Sequence, residues 1–532
     1  MRAAFRYASS MPSKPTLSPD LHDDIEEFRR LRDENKSLTS RIRHLQARVD
    51  QLEEEKRRLL SRQFGPSSEK DPTPQMRLFN EPEVLDDQAA VEVEETVTVP
   101  AHKRRRSHRK PLPDHLPRIE VAHDLSDEEK VCGCGCQLTR IGEEVSEQLD
   151  IIPAKIQVIR HIRPKYACQG CEETVRTAPL PPQPIPKSNA SPGLLAHITV
   201  AKYQDALPLA RQEKMFTRIG AEIPRATLAR WMIQLGTLVQ PLIHLLRDHL
   251  LQYDYIGMDE TRIQVLKEPD REAASQSCIW VQQGGPPKQA VVLFHYDTSK
   301  AAKVAETLLE RYAGYLQVDG NATYDTLAKA HPEIQLIGCM AHARRKFFEA
   351  HQAQGKKGRT GKAQKGLSLI QKLYGIEQSI KEKKPEERKQ AREGRAMPVL
   401  EELHAWALYS VDQVPPTSLT GKALHYLLEQ WPKLIRYVED GRLPIDNNAT
   451  ERAIRPFVIG RRNWLFADTQ KGAFASANLY SLIETAKANG IEPYLYLRYI
   501  FKALPTIQTM DQLDALLPFN LDGTNLAQDA SL

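Results

Sequence analysis

The stretch GMDET, residues 257–261, sets Asp259 and Glu260 side by side behind the apolar run YDYIGM. A buried strand has no packing use for two adjacent acids. A further acid, Asp319, follows GYLQV, and another, Glu451, stands in IDNNATERAIRP. Carboxylates that converge from separate elements are hard oxygen ligands for Mg²⁺ or Mn²⁺, which keep open positions for water and phosphate oxygens. Two such ions about 4 Å apart assist in-line displacement at phosphorus. Asp259, Asp319 and Glu451 are therefore candidate Mg²⁺ ligands and catalytic acids. Asn448 precedes Glu451 on the same helix face, while Arg452 and Arg455 follow and could hold phosphate oxygens bidentately. Glu484, in LYSLIETAKANG with Lys487 three residues on, is the competing third acid. Its Leu, Ile and Tyr neighbours favour packing.

The acids need elements that bring them together. YDYIGMDETRIQV, SCIWVQQ and QAVVLFHY read as three strands, the last two joined by the turn GGPPK. SKAAKVAETLLERY reads as a helix capped by Ser299. GYLQVDG is a strand, ATYDTLAKA a helix, EIQLIGCM a strand and AHARRKFFEAHQ a helix. The order β-β-β-α-β-α-β-α is that of the ribonuclease H-like fold, an α/β class in which chemistry gathers at strand ends. Asp259 is expected near the end of the first strand and Asp319 at the end of the fourth. Adjacent strand residues point to opposite faces, so only one of Asp259 and Glu260 can aim where Asp319 aims. Residues 251–350 form the first part of this catalytic core, 351–444 a helical insertion and 445–505 the second part. Residues 506–532 are a C-terminal tail.

Upstream, residues 21–62 carry a leucine-zipper heptad. Leu31, Leu38, Leu45, Leu52 and Leu59 recur every seven residues, preceded by Phe28, Asn35, Ile42, Val49 and Lys56. Such spacing favours a parallel two-stranded coiled coil whose buried Asn35 pair fixes register. The alternative is a lone amphipathic helix packed on its own chain. Residues 63–118 read as a linker whose acidic half gives way to AHKRRRSHRK, a basic run holding Lys103, Arg104, Arg105 and Arg106. Residues 119–180 form a small Cys-rich, zinc-finger-like module. Cys168 and Cys171 have knuckle spacing, and Cys132, Cys134 and Cys136 offer the other half of a Zn²⁺ site; the alternative is free thiols. PLPPQPIP at 179–186 is a stiff spacer. Residues 187–250 read as helical. Within 207–236 a helix, a turn with Gly220 and a second helix carrying Thr227 and Arg230 outward are compatible with a DNA-reading helix-turn-helix.

Two more basic clusters lie in the core. GCMAHARRKFF places Cys339 and His342 beside Arg344, Arg345 and Lys346. A metal reading finds only two ligands here, so His342 is expected to be structural or to contact phosphate, with the basic cluster on the DNA backbone. GRRNWLFA adds Arg461, Arg462 and Trp464, the Trp either stacking a base or packing inside. The chain has 532 residues, 27% charged, with a formal net charge of +5. It has no apolar stretch near the roughly 18 residues a membrane helix needs, so no membrane partner is expected. No apolar segment follows Arg2 and Arg6, so no secretory signal is expected either.

QFGPSSEK, RKPLPDHLPR, IGEEVSEQLD, RPKYAC, GMDET, AHARRKFF, NNATERAIRP and GRRNWLFA, in that order, resemble transposases of the insertion sequence 66 family over about residues 25–505. The resemblance implies a Mg²⁺-dependent transposase of the acidic-triad type, acting in the cytoplasm on the nucleoid. It would cut the ends of its mobile element and join the freed 3′ hydroxyls to target DNA. By motif, its triad would be Asp259, Asp319 and Glu451. In the family the second motif usually reads Asp-Gly-Tyr; Asn321 stands in the aromatic's place here. Implied partners are element-end and target DNA, a second copy of the chain, and accessory proteins encoded by the element. Two rivals stand beside it. One is a DNA-binding regulator, or decayed transposase, without chemistry; the other is a ribonuclease H-like nuclease that cuts without joining.

Overall fold

The computed structural model describes residues 30–42, 45, 48, 49, 52, 56, 156–167, 175–353, 361–523 and 526. The basic run with Lys103, Arg104, Arg105 and Arg106, and the cysteines Cys132, Cys134, Cys136, Cys168 and Cys171, lie outside the described residues. The chain divides into two units, Met1–Leu78 with Pro164–Leu532, and Phe79–Arg163. In the smaller unit, residues 156–163 are exposed and without regular structure. In the larger, residues 30–42 are helical, and Leu31, Leu38, Ile42, Leu45, Val49 and Leu52 are all exposed. Strands β1 (Lys165–Ala167) and β2 (Val175–Thr177) pair antiparallel in a small two-stranded sheet.

Helices α1 (Pro192–Tyr203), α2 (Leu209–Arg218), α3 (Arg225–Leu238) and α4 (Gln240–Leu250) follow. Gly220 turns the chain between α2 and α3 with a φ of +85°, which costs glycine little. In α3, Leu228 and Trp231 are buried while Arg230 is exposed.

A mixed sheet then builds the core. Strands β3 (Tyr255–Lys267), β4 (Gln276–Gly284) and β5 (Val291–Asp297) are antiparallel. Helix α5 (Ala302–Leu308) crosses to β6 (Gly314–Gln317), and α6 (Ala322–Ala330) crosses to β7 (Ile334–Ile337). Both crossover strands are parallel, giving the spatial order β5-β4-β3-β6-β7. Helix α7 (Met340–Ala353) completes the succession of elements expected from the sequence. The Ser299 cap is not found. Helix α5 begins at Ala302 behind Ala301, and Ser299 instead accepts from the Ala301 N–H at 3.0 Å in the preceding turn.

The insertion comprises α8 (Lys362–Ser379), α9 (Pro385–Ala391), α10 (Met397–Val411) and α11 (Leu419–Leu434). Arg392, with no exposed surface, ties it to the chain that returns to the core. Its guanidinium donates to both Glu377 carboxylate oxygens and to the carbonyls of Tyr437, Asp440 and Leu443 at 2.7–2.9 Å. The return leads into α12 (Asn448–Trp464), β8 (Ala467–Thr469), α13 (Gln470–Ala488), α14 (Pro493–Ala503) and α15 (Met510–Asp514). β8 extends the sheet by pairing with the far end of β3.

Edge strand β5 does not leave its amides free. Ser481 and Thr485 of α13 accept from the Phe294 and Val292 N–H groups at 2.8 and 3.0 Å, and Asn489 bonds the Ala290 backbone. Residues four apart on one helix face thus cover an edge that would otherwise recruit another strand. Phe294, Phe457 and Tyr480 meet between β5, α12 and α13 with ring centroids 5.2–6.3 Å apart. Leu513, Leu516 and Leu517 add to the same core.

Candidate active site

Helix α12 lies across one face of β3, and glycine makes the approach possible. A Cβ on Gly257 would meet Thr450 Oγ1 at 2.2 Å and Asn447 Oδ1 at 3.1 Å, both at the start of α12. At the other end of the contact, Arg461 donates to Thr261 Oγ1 at 3.1 Å and to the Arg262 carbonyl. Residues 257, 259 and 261 share a strand face. Asp259 therefore points to the face covered by α12, between its two anchors. Buried Asn447 adds a third tie, donating to the Met258 carbonyl at 3.2 Å.

β6 brings the second acid. Gly257 pairs with Gln317 in parallel register, so Asp319, two residues on, reaches the level of Asp259. Asp259 is the fifth of thirteen residues in β3, not near its end as the sequence suggested. What ends there is the parallel pairing with β6, which stops at Gly257, while antiparallel pairing to β4 carries β3 onward. The opening sits inside the sheet, where one neighbour has run out.

Glu260 faces the opposite way and is fully engaged. Lys300 pairs with it at 2.5 Å, Tyr324 donates to it at 2.6 Å and Asn321 at 3.1 Å. Asn321, the residue standing in an aromatic's place, thereby holds Glu260 through its side chain while its own N–H donates to Asp319 Oδ1 at 3.0 Å.

The first turn of α12 supplies Glu451. Its carboxylate lies 3.8 Å from His342 Nδ1 and 3.6 Å from Arg345. The charges of Glu260, Asp319 and Glu451 all bear on Asp259. Burial above all, and then these like charges, push the Asp259 carboxyl up to about 7 against the pull of the Glu260 N–H. Burial and Glu260 raise Asp319 too, with the Asn321 N–H, His342 and Lys300 opposing. Asp259, which no cationic side chain among the described residues offsets, and the raised Asp319 beside it suit a divalent cation. Glu484 is elsewhere: buried on α13, it is paired to Lys487 at 2.9 Å, and burial raises its carboxyl.

The basic residues divide by geometry. Arg345, Arg452 and Arg462 are exposed, and Arg455 is half-buried. Arg344 lies over the Phe348 ring at 5.7 Å. Arg461 is spent on β3, as described. Trp464 packs edge-on against Phe457 at 5.5 Å beneath the Lys202 ammonium.

Sequence reasoning missed Gly257 as the seat of α12, Asn447 as its tie and Lys300 as the partner of Glu260. The Asn447-Asn448 doublet, which spans the N-cap and first residue of α12, was a readable helix-start signal. Lys300 had none, because only the fold brings it to Glu260.

Residues 187–475 match the family model described as Transposase IS66 family. Residues 129–172 match the zinc-finger binding domain of transposase IS66, 51–121 the Transposase C of IS166 homeodomain, and 481–519 the IS66 C-terminal element. Two similar relatives come from Sinorhizobium fredii (strain NBRC 101917 / NGR234). The uncharacterized protein y4jD is 34% identical over 433 residues, 79% of this chain and 83% of the relative. The uncharacterized protein y4qI is 32% identical over 430 residues, 79% of this chain and 78% of the relative.

Proposed function

Since the chain belongs to the transposase IS66 family, we propose that it cuts DNA at the ends of its mobile element and joins the freed 3′ hydroxyls to target DNA. The proposed core is ribonuclease H-like, and the proposed catalytic acids are Asp259, Asp319 and Glu451. The observation that carries the reading is the convergence of α12 and β6 on Asp259: Gly257 admits the helix that bears Glu451, and the parallel register delivers Asp319.

In this reading the three carboxylates would hold Mg²⁺ or Mn²⁺, which when bound would supply an activated attacking oxygen and a stabilised leaving oxygen in phosphodiester displacement. The chain's own residues do the positioning. Asp259 and Asp319 must be ionised to act, and their raised affinity for protons means that the cation and protons compete for them. Arg345, Arg452, Arg455 and Arg462 would hold backbone phosphates beside the acids, with Arg344. Lys300 and Asn321 keep Glu260 turned away, so that it adds charge but no ligand. Lys103, Arg104, Arg105 and Arg106 would add a sequence-independent hold on DNA, and the Cys module a Zn²⁺-dependent one through Cys132, Cys134, Cys136, Cys168 and Cys171. The exposed apolar heptad supports pairing of two copies, which suits a reaction on two DNA ends.

The test uses purified full-length protein, Mg²⁺ and a DNA fragment carrying the element end, with a supercoiled target. Nicks at the end together with covalently joined target products are expected. Nicks without joined products would reduce the protein to a nuclease, and binding without nicks to a regulator.

A further inference from the structure

Among the described residues, one group of metal-type side chains packs more tightly than the three acids. Cys339, His342 and Glu451 place a sulfur, an imidazole nitrogen and a carboxylate oxygen all within 4.8 Å of one another. Three segments build the group. Cys339 follows β7, His342 sits in the first turn of α7, and Glu451 comes from α12. The Asn447 N–H donates to Cys339 Sγ at 3.2 Å and so fixes the head of α12 against the thiol.

Two buried atoms of this group have no hydrogen-bond partner: His342 Nδ1 and Glu451 Oε1. They face one another at 3.8 Å, too far for a hydrogen bond between them. Orphaned buried polar atoms are rare and call for an explanation. An ion bonded to both at about 2.0–2.2 Å would leave them separated by about 3–4 Å. The gap therefore fits a shared cation better than a direct contact.

The donors choose the cation. Mg²⁺ takes oxygen ligands, whereas thiolate with imidazole and carboxylate selects a borderline-soft ion such as Zn²⁺. Three protein ligands also leave a fourth tetrahedral position open. We propose that Cys339, His342 and Glu451 form a zinc-type site beside the Asp259–Asp319 pair, sharing Glu451 with it. On binding, the Cys339 thiol gives its proton to solvent and its sulfur bonds the ion as thiolate. Because Glu451 is common to both, Zn²⁺ at this site opposes Mg²⁺ at the other.

Zn²⁺ binding without DNA tests the proposal, so failure here would leave the proposed cutting and joining untouched. Full-length protein is stripped with EDTA and titrated with Zn²⁺ by calorimetry, with folding checked by circular dichroism. Cys339→Ser, His342→Gln and Glu451→Gln should each bind one equivalent per chain fewer than wild type. Asp259→Asn should retain that equivalent. Unchanged stoichiometry in Cys339→Ser and His342→Gln overturns the proposal, as does loss of the equivalent in Asp259→Asn alone. Should those variants misfold, zinc-edge anomalous scattering from wild-type crystals decides. A peak among the three residues supports the site, and its absence in zinc-soaked crystals overturns it.

Discussion

At the residue scale, the proposed site turns on Asp259. Its carboxyl is raised to about 7 from an ordinary value of 3.8. A carboxyl whose folded value lies above its unfolded one favours the folded state at low pH. That stability is complete below about pH 4 and lost as pH rises through about 7. Metal-free protein should therefore weaken between those limits, and Asp259→Asn should flatten the slope and stabilise the chain at pH 8 by on the order of 2 kcal/mol. Denaturant unfolding at several pH values in EDTA measures this; an unchanged slope in Asp259→Asn would refute the assigned environment. Gly257 gives a second prediction. Gly257→Ala drives a methyl into Thr450 and Asn447 and should cost about 1–3 kcal/mol. Adding Thr450→Ala removes the nearest obstruction and should recover part of the loss in thermal unfolding. No recovery would mean that α12 does not sit on Gly257 as described.

At the element scale, α12 is the part that must be held. Thr261 and Arg262 grip its last turns through Arg461, Met258 holds its head through Asn447, and Arg392 braces the chain leading into it. Arg392→Met would remove the donor to Glu377, which keeps only Arg388, and to the carbonyls of Tyr437, Asp440 and Leu443, and should destabilise the protein by about 3–5 kcal/mol. Chemical denaturation checks it; a change below about 1 kcal/mol would show that the insertion does not depend on this residue. Much of this layer was legible in advance. Helix α6 spans the same ATYDTLAKA that its periodicity marks, and the strands deviate by only a few residues at their ends. The illegible parts were tertiary. Nothing local says that β3 outlasts its pairing with β6, which is why Asp259 was expected at a strand end. Nor could spacing decide between Glu451 and Glu484, since both are helical acids. Their surroundings differ: the Glu451 charge bears on Asp259, whereas Glu484 is buried and paired with Lys487.

At the scale of the whole molecule, the proposed pairing of two copies rests on the exposed heptad residues. Leu38 and Leu45 are 51% and 56% exposed, so a paired chain would bury them. Replacing both by Lys should halve the mass seen by sedimentation equilibrium at micromolar concentration. A mass equal to wild type's would place the association elsewhere. The basic residues act at this scale too. Arg452→Ala with Arg455→Ala should weaken binding to all DNA sequences alike and flatten its salt dependence by about one unit of slope per lost phosphate contact. Salt titration of binding by fluorescence anisotropy reads both effects.

The claim on which the rest depends is that Asp259, Asp319 and Glu451 form one acidic site that cuts DNA. It is tested most directly by Mg²⁺-dependent nicking of element-end DNA by wild type, Asp259→Asn, Asp319→Asn, Glu451→Gln and Glu484→Gln, each matched for DNA binding. The first three variants should lose nicking by at least about a thousandfold, equivalent to about 4 kcal/mol of transition-state stabilisation, while Glu484→Gln nicks as wild type does. Nicking that survives in any of the three, or vanishes only in Glu484→Gln, would contradict the account.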